Sequence, residues 1–154
     1  MPFRSTHIDC VVLTAFESAF SFLRNTWVLA GIRTHHAKTL EQADFLLLAT
    51  GASVLLSDPV IVDCSWRSAL DMLGERHSMA AMLVMADSAD RPFLEDALGL
   101  GVCGILWRPI QFDAATKLIR TAHEASLERR LLRNERAIAA IQAQRREPAA
   151  RVRT

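Results

Sequence analysis

Ala52-Ser53-Val54-Leu55-Leu56-Ser57-Asp58-Pro59 is the most informative segment of the chain. Val54, Leu55 and Leu56 are consecutive apolar residues rather than an alternating set, so they predict a strand covered on both faces, as in the middle of a parallel sheet. The strand ends at Asp58, because Pro59 has no N–H to give to a ladder. Asp58 is thereby placed at the carboxyl edge, where open α/β sheets keep their sites. Taken alone it is equally a loop acid at a strand end. Val60-Ile61-Val62-Asp63 offers another register, a strand ending in Asp63.

Outward from this segment, the same pattern repeats. Ile8 to Leu13, centred on Cys10-Val11-Val12-Leu13, reads as a first strand ending at Thr14-Ala15. Phe16, Phe20, Leu23 and Trp27, with Val28 beside them, give a helix from Glu17 to Leu29 one wide apolar face, and Gly31 ends it. Ile32 to Ala37 is a short second strand. Thr39-Leu40-Glu41-Gln42 has the form of a capping box opening a helix from Leu40 to Thr50 that Gly51 closes. Beyond Asp58, Ser65 can cap a helix from Trp66 to Leu73, with Gly74 just past its end. Ala81 to Met85 is a fourth strand. Arg91-Pro92 suits the first turn of a helix to Leu98, ended by Gly99. Ile105-Leu106-Trp107 is a fifth strand, and the chain from Asp113 is helical. Five strands alternating with five helices predict an α/β fold, a doubly wound parallel sheet with helices on both faces and right-handed crossovers.

The chain has 154 residues, 51% hydrophobic and 23% charged, enough for one covered core plus an appendage. The net charge of +1 gives no global reason to expect nucleic acid or membrane as a partner. Its distribution is uneven: from Glu124 onward eight arginines face four glutamates, 8 − 4 = +4, which leaves 1 − 4 = −3 for residues 1–123. Cys10, Cys64 and Cys103 are too widely spaced for a metal or redox motif and read as reduced thiols of a cytoplasmic protein. Met1-Pro2-Phe3-Arg4-Ser5-Thr6 contains no apolar core of a leader, and no run has the roughly 18 apolar residues of a spanning helix, so a soluble, unsecreted protein is expected.

These spacings resemble the receiver domain of two-component response regulators over roughly Ile8 to Ala125. Leu55-Leu56-Ser57-Asp58 is similar to the family's phosphoacceptor strand, and Trp107-Arg108-Pro109 to its lysine-proline step. The separation, 108 − 58 = 50 residues, is close to that of receivers, whereas Asp63 lies 108 − 63 = 45 before Arg108. The resemblance implies the flavodoxin-like strand order 2-1-3-4-5, with a receiver-like domain at 1–125 and a helical tail at 126–154. It also implies a role in phosphorelay signal transduction, without enzyme activity.

The family pattern is broken at several positions. A receiver holds magnesium with an acidic pair after its first strand, because the metal must neutralise phosphoryl group and acceptor together. Thr14 and Ala15 occupy those places, and Glu17 falls within the start of the helix. The switch hydroxyl position holds Ala86, with Asp87 adding a negative charge beside it, and the switch aromatic position holds Ile105. Val62 and Trp66 stand where the family has proline and glycine. Arg108 replaces the lysine, and a guanidinium can clamp a carboxylate bidentately. Two arrangements follow: a standing Asp58–Arg108 ion pair that fixes one state without chemistry, or a leftover acid with Arg108 facing solvent. The resemblance thus points to a degenerate pseudo-receiver with no cofactor, magnesium being required only if Asp58 is a conventional phosphoacceptor.

Gly99-Leu100-Gly101-Val102-Cys103-Gly104 has the form G-x-G-x-x-G but follows a helix and precedes a strand, the reverse of a dinucleotide site, so it reads as turn glycines. His35 and His36 point to opposite faces of a strand and cannot easily share a metal. Asp63-Cys64-Ser65 is adequately explained by helix capping.

In the tail, Leu127, Leu131, Asn134, Ile138 and Ile141 are spaced four, three, four and three, the seam of a two-helix coiled coil about two heptads long. The helix should run to about Gln144, Pro148 stopping it before a disordered basic end. A homodimer is the preferred reading, with fold-back onto the domain as the other. Arg129, Arg130, Arg133, Arg136, Arg145, Arg146, Arg151 and Arg153 can touch phosphates, but Glu128 and Glu135 interrupt them and no aromatic residue among them can stack a base. The expected partners are a second copy and a signalling protein. An RNA-binding regulator similar to receiver-like antiterminators is a further alternative, recognisable by steep salt dependence.

Overall fold

The computed structural model describes residues 7–152, and the side chains of residues 7–145. The leader reading of Met1–Thr6 and the basic side chains from Arg146 onward lie outside the described residues. The five parallel strands are β1 (Ile8–Leu13), β2 (Ile32–Ala37), β3 (Val54–Ser57), β4 (Ala81–Ala86) and β5 (Gly104–Trp107), in the order β2-β1-β3-β4-β5. In β3 the apolar run is unbroken because its side chains feed two cores. Leu55 joins Val11, Leu13, Met82 and Val84 on one face, while Val54 and Leu56 join Cys10, Val12, Leu83 and Met85 on the other. Each fully buried leucine in these layers contributes about 1.5–3 kcal/mol relative to exposure.

Helices α2 (Leu40–Thr50) and α3 (Trp66–Arg76) cover the first face, and α1 (Glu17–Trp27) and α5 (Phe112–Val152) the second. Leu23 and Trp27 of α1 are buried, whereas Phe16 and Val28 are exposed, so its apolar face is narrower than the spacing implied. Gly31 adopts the left-handed conformation, φ 77°, after a short 3-10 turn at Val28–Ala30. Thr39 caps α2 by accepting from the Gln42 amide at 3.2 Å. The Gln42 side chain accepts from Lys38 N, at 2.8 Å, rather than closing a box on Thr39.

Several boundaries differ from the sequence expectation. Ser65 occupies the cap position of α3 but makes no side-chain cap bond, and the helix continues through Gly74 to Arg76. That extra turn brings Arg76 Nε and His77 Nε2 to Asp44 Oδ1 at 3.1 and 2.6 Å, contacts that offset the roughly 1 kcal/mol cost of glycine in a helix. The single helix expected to end at Gly99 is instead a 3-10 segment, Ser88–Phe93, and a short α4, Ala97–Leu100. Asp90 accepts from the Asp87 amide at 2.9 Å, and Pro92 removes a donor within the 3-10 segment. Gly101, at φ 120°, makes the turn toward β5. Val60–Asp63 is not a strand: Ile61 and Cys64 bond each other's backbone, and Val60 bridges Ser65.

α5 is the longest element, 41 residues. Ala115, Ile119, Ala122 and Ser126 form its buried stripe. Where the helix passes the amino edge of the sheet, His123 Nδ1 meets Ser53 Oγ at 2.6 Å, and Arg129 and Arg130 donate to the carbonyls of Ala80 and Gly51 at 2.9 and 3.2 Å. The helix then projects beyond the domain and does not stop at Pro148: the proline forfeits one amide donor and strains the preceding turn, at about 3 kcal/mol, but the chain stays helical to Val152.

Candidate functional site

Four strand ends converge at the carboxyl edge. Asp58 follows β3 directly, its amide donating to Leu13 O at 3.0 Å, so the sheet's hydrogen-bond ladder fixes its backbone. Its side chain is 8% exposed. Thr14, the residue after β1, is fully buried and donates its hydroxyl to Asp58 Oδ2 at 2.5 Å. The Thr14 oxygen in turn accepts from the Phe16 amide at 3.2 Å, which orients the hydroxyl proton toward the carboxylate. Ala15, half-buried, brings only a methyl group.

Arg108 follows β5, its amide held by Ala86 O at 2.8 Å. One guanidinium nitrogen, Nη2, donates to Asp58 Oδ1 at 3.2 Å, and the other, Nη1, lies 3.6 Å from Asp87 Oδ1. The standing ion pair is therefore present, but the clamp is not bidentate: the fork bridges two carboxylates on neighbouring strand ends. Asp87 is drawn in by Arg108 rather than left as an unopposed charge. Both oxygens of Asp58 are occupied, one by Thr14 and one by Arg108.

Ala86 closes β4 with a buried methyl where a hydroxyl would be needed. Ile105 packs against the α2–α3 core, and Trp107, two residues on, shares its side of β5. Trp107 is 36% exposed and lies under the Arg91 guanidinium, 4.9 Å from the ring centroid. Glu17, the acid nearest in sequence to the missing pair, is turned to Lys38 Nζ at 2.8 Å, and that hydrogen bond holds its carboxyl below the usual value. Asp63 and Val62 are exposed in the loop, away from the pair. Among the described residues no group of three or more His, Cys, Asp or Glu side chains is arranged to hold a metal ion. His35 contacts Asp9 Oδ1 at 3.0 Å, while His36 meets Thr14 O at 2.9 Å and stacks on Phe20 at 4.5 Å, so the two diverge as expected. Burial pushes the Asp9 carboxyl up, but hydrogen bonds from His35 and Arg33 outweigh it and leave the pKa lowered. The thiol of Cys64 is raised to about 11 by burial and by Asp63, and that of Cys10 to about 12 by burial, so neither is a ready nucleophile.

The five seam residues Leu127, Leu131, Asn134, Ile138 and Ile141 are all exposed, Leu127 the least of the apolar four at 43%. Leu131, Asn134, Ile138 and Ile141 lie on the projecting part of α5 and Leu127 just before it, at the opposite end of the sheet from Asp58. No described helix is long and apolar enough to cross a membrane.

No protein-family model and no curated protein matches the sequence. Solved structures do match. The chain superposes on a response regulator receiver domain from Clostridium thermocellum with TM-score 0.70 and 13% identity, over 81% of this chain and 98% of that one. The signal receiver domain of an HD domain-containing protein from Pseudomonas fluorescens Pf-5 gives TM-score 0.75 at 14% identity, covering 84% and 96%. NtrX from Brucella abortus gives TM-score 0.74 at 14% identity, where 84% of this chain covers 29% of that one. The chain thus has the fold of response regulator receiver domains.

Proposed function

We propose that this chain is a receiver-like module of two-component phosphorelay signalling whose phosphorylation site has degenerated, and that it acts through protein contacts rather than as an enzyme. The observation that carries the reading is the engagement of both oxygens of Asp58: Thr14 bonds one and Arg108 the other, at 2.5 and 3.2 Å. A phosphoryl group arriving on Asp58 would weaken these bonds, since esterification removes the charge that both donors engage. A magnesium ion beside it does not fit either, because a donated hydroxyl and a methyl replace the required carboxylates. The exposed seam of α5 supports dimerisation through that helix, with the carboxyl edge left for a signalling partner.

Intact mass after incubation with magnesium and a small-molecule phosphodonor tests the reading, with Asp58→Asn and a conventional receiver alongside. The expected result is no gain in the wild type while the conventional receiver is labelled. A gain of one phosphoryl group in the wild type alone would establish Asp58 as a live switch instead.

A further inference from the structure

The cleft above Asp58 has a character that phosphoryl chemistry does not use. It is an open groove of about 680 Å³, within the volume range of small-molecule sites. Its walls include Phe16, Phe22, Val60, Pro109 and Ile110, of which Phe16, Phe22 and Val60 are 65%, 52% and 73% exposed. Apolar surface gathered at one edge and left facing water marks a binding face. The charged lining is Asp58, Asp87, Asp90 and Arg108, three carboxylates against one guanidinium, or 1 − 3 = −2. Asp58 is closed off by its two donors. Asp87 is more open: its side chain is 59% exposed and its one ionic contact among the described residues is the 3.6 Å approach of Arg108. Asp90 gives one oxygen to the Asp87 amide.

We propose that this cleft binds an amphipathic organic cation, its flat apolar body between the Phe16–Phe22 rim and the Pro109–Ile110 wall and its amine on Asp87 and Asp90. An anion would meet the carboxylates of Asp87 and Asp90, with the one guanidinium of the lining already shared between Asp58 and Asp87. To reach Arg108 it would have to displace Asp58 and strand that buried oxygen. The occupant would also touch Ile110, two residues before α5 begins, and so sit at the root of the helix that carries the exposed seam. The proposal rests on Asp58 remaining unmodified.

Tryptamine, 3-methylindole and indole-3-acetate share one ring and differ in charge, and titrating each into the full chain while following backbone amides by NMR tests the proposal. Tryptamine should shift Val60, Asp87 and Ile110 saturably, and indole-3-acetate should bind at least about tenfold more weakly. Asp87→Asn should weaken tryptamine about threefold or more, and Phe22→Ser, at an exposed position, should weaken it too. Equal binding of the three indoles, insensitivity to both substitutions, or no saturable tryptamine binding overturns the proposal. Uptake of a short basic tryptophan-containing peptide by a chain that ignores tryptamine overturns it in favour of a protein segment. Intact mass on the same sample, with and without phosphodonor, separates the two failures: a phosphoryl gain strikes the unmodified-acid reading, and lost binding at unchanged mass strikes this one.

Discussion

Thr14 and Asp58, 44 residues apart, are joined by a 2.5 Å hydrogen bond in which a threonine at a place that receivers reserve for an acid becomes the donor to the would-be phosphoacceptor. The substitution exchanges a metal ligand for a proton donor. Thr14→Val keeps the shape and removes the donor, leaving Asp58 Oδ2 and the Phe16 amide without their partner. It should cost about 1.5–3 kcal/mol, as for a buried bond to a charged group, while Thr14→Ser should cost much less. Urea unfolding midpoints check this. Equal midpoints for wild type and valine would mean that the hydroxyl is not bonded to the acid.

Arg108 and Asp58 form a pair that is neither surface nor core, their side chains being 33% and 8% exposed. Exposed pairs contribute about 0–1 kcal/mol and truncation of buried ones costs about 3–5, so the Arg108→Met loss should fall near 1–2 kcal/mol. A double-mutant cycle with Asp58→Asn should return a coupling of about 1 kcal/mol. Zero coupling would restore the reading of Asp58 as a leftover strand-end acid.

These two contacts also mark the limit of what the sequence carries. The strands were legible because unbroken apolar runs have one simple explanation, burial on both faces, and Gly31 and Gly51 marked helix ends because both sit at positive φ, 77° and 65°. Gly74 looked the same on paper but lies inside α3, where the Asp44 contacts of the following turn decide the outcome. The Asp58–Arg108 pair was readable as a spacing. In the sequence Thr14 shows only as a missing carboxylate, since nothing local in Thr14-Ala15 says which way its proton points. Nothing in the sequence marks Trp107 as the exposed aromatic of β5, since Ile105, two residues earlier on the same face, holds the family's aromatic position.

His123 predicts a pH dependence at the other end of the sheet. Burial first, and the charge of Arg130 second, push its imidazole below the ordinary 6.5. The unfolded chain therefore takes up this proton before the folded one does. The associated stability is fully present above 6.5 and is lost as pH falls through that value toward the folded pKa. Asp9, also lowered, acts only below the carboxylate's ordinary 3.8, so the two windows are separate. His123→Gln should flatten the difference in unfolding free energy between about pH 7.5 and about pH 5.5, and an unchanged slope would assign the effect to another group.

Gly104 is required by α5. A Cβ there would lie 2.7 Å from Leu118 Cδ1, with Leu118 Cδ2 and Cγ at 3.2 and 3.3 Å. Gly104→Ala should force Leu118 into another rotamer and cost about 1 kcal/mol, and Gly104→Val about 2–3. Adding Leu118→Ala to Gly104→Ala should destabilise less than the two separate changes summed, because the collision is relieved. Strict additivity in thermal unfolding would show that the strand, not the contact, sets the cost.

The tail gives the last prediction. Leu131, Ile138 and Ile141 are 63%, 56% and 52% exposed on a helix that has left its domain, so in a single chain their apolar area faces water without compensation. Two such helices side by side would bury that area, and Asn134 in the middle of the seam would pair with its copy and fix the register at some cost in stability. Leu131→Glu with Ile138→Glu should convert a dimer in sedimentation equilibrium to a monomer, with the unfolding midpoint of the receiver-fold domain nearly unchanged, because neither side chain touches the core. Asn134→Ile should tighten the association and can raise its order above two, since β-branched residues along the seam favour higher oligomers. A wild-type chain that sediments as a monomer across the micromolar range would remove the seam from the mechanism and leave the carboxyl-edge cleft as the surface through which the module acts.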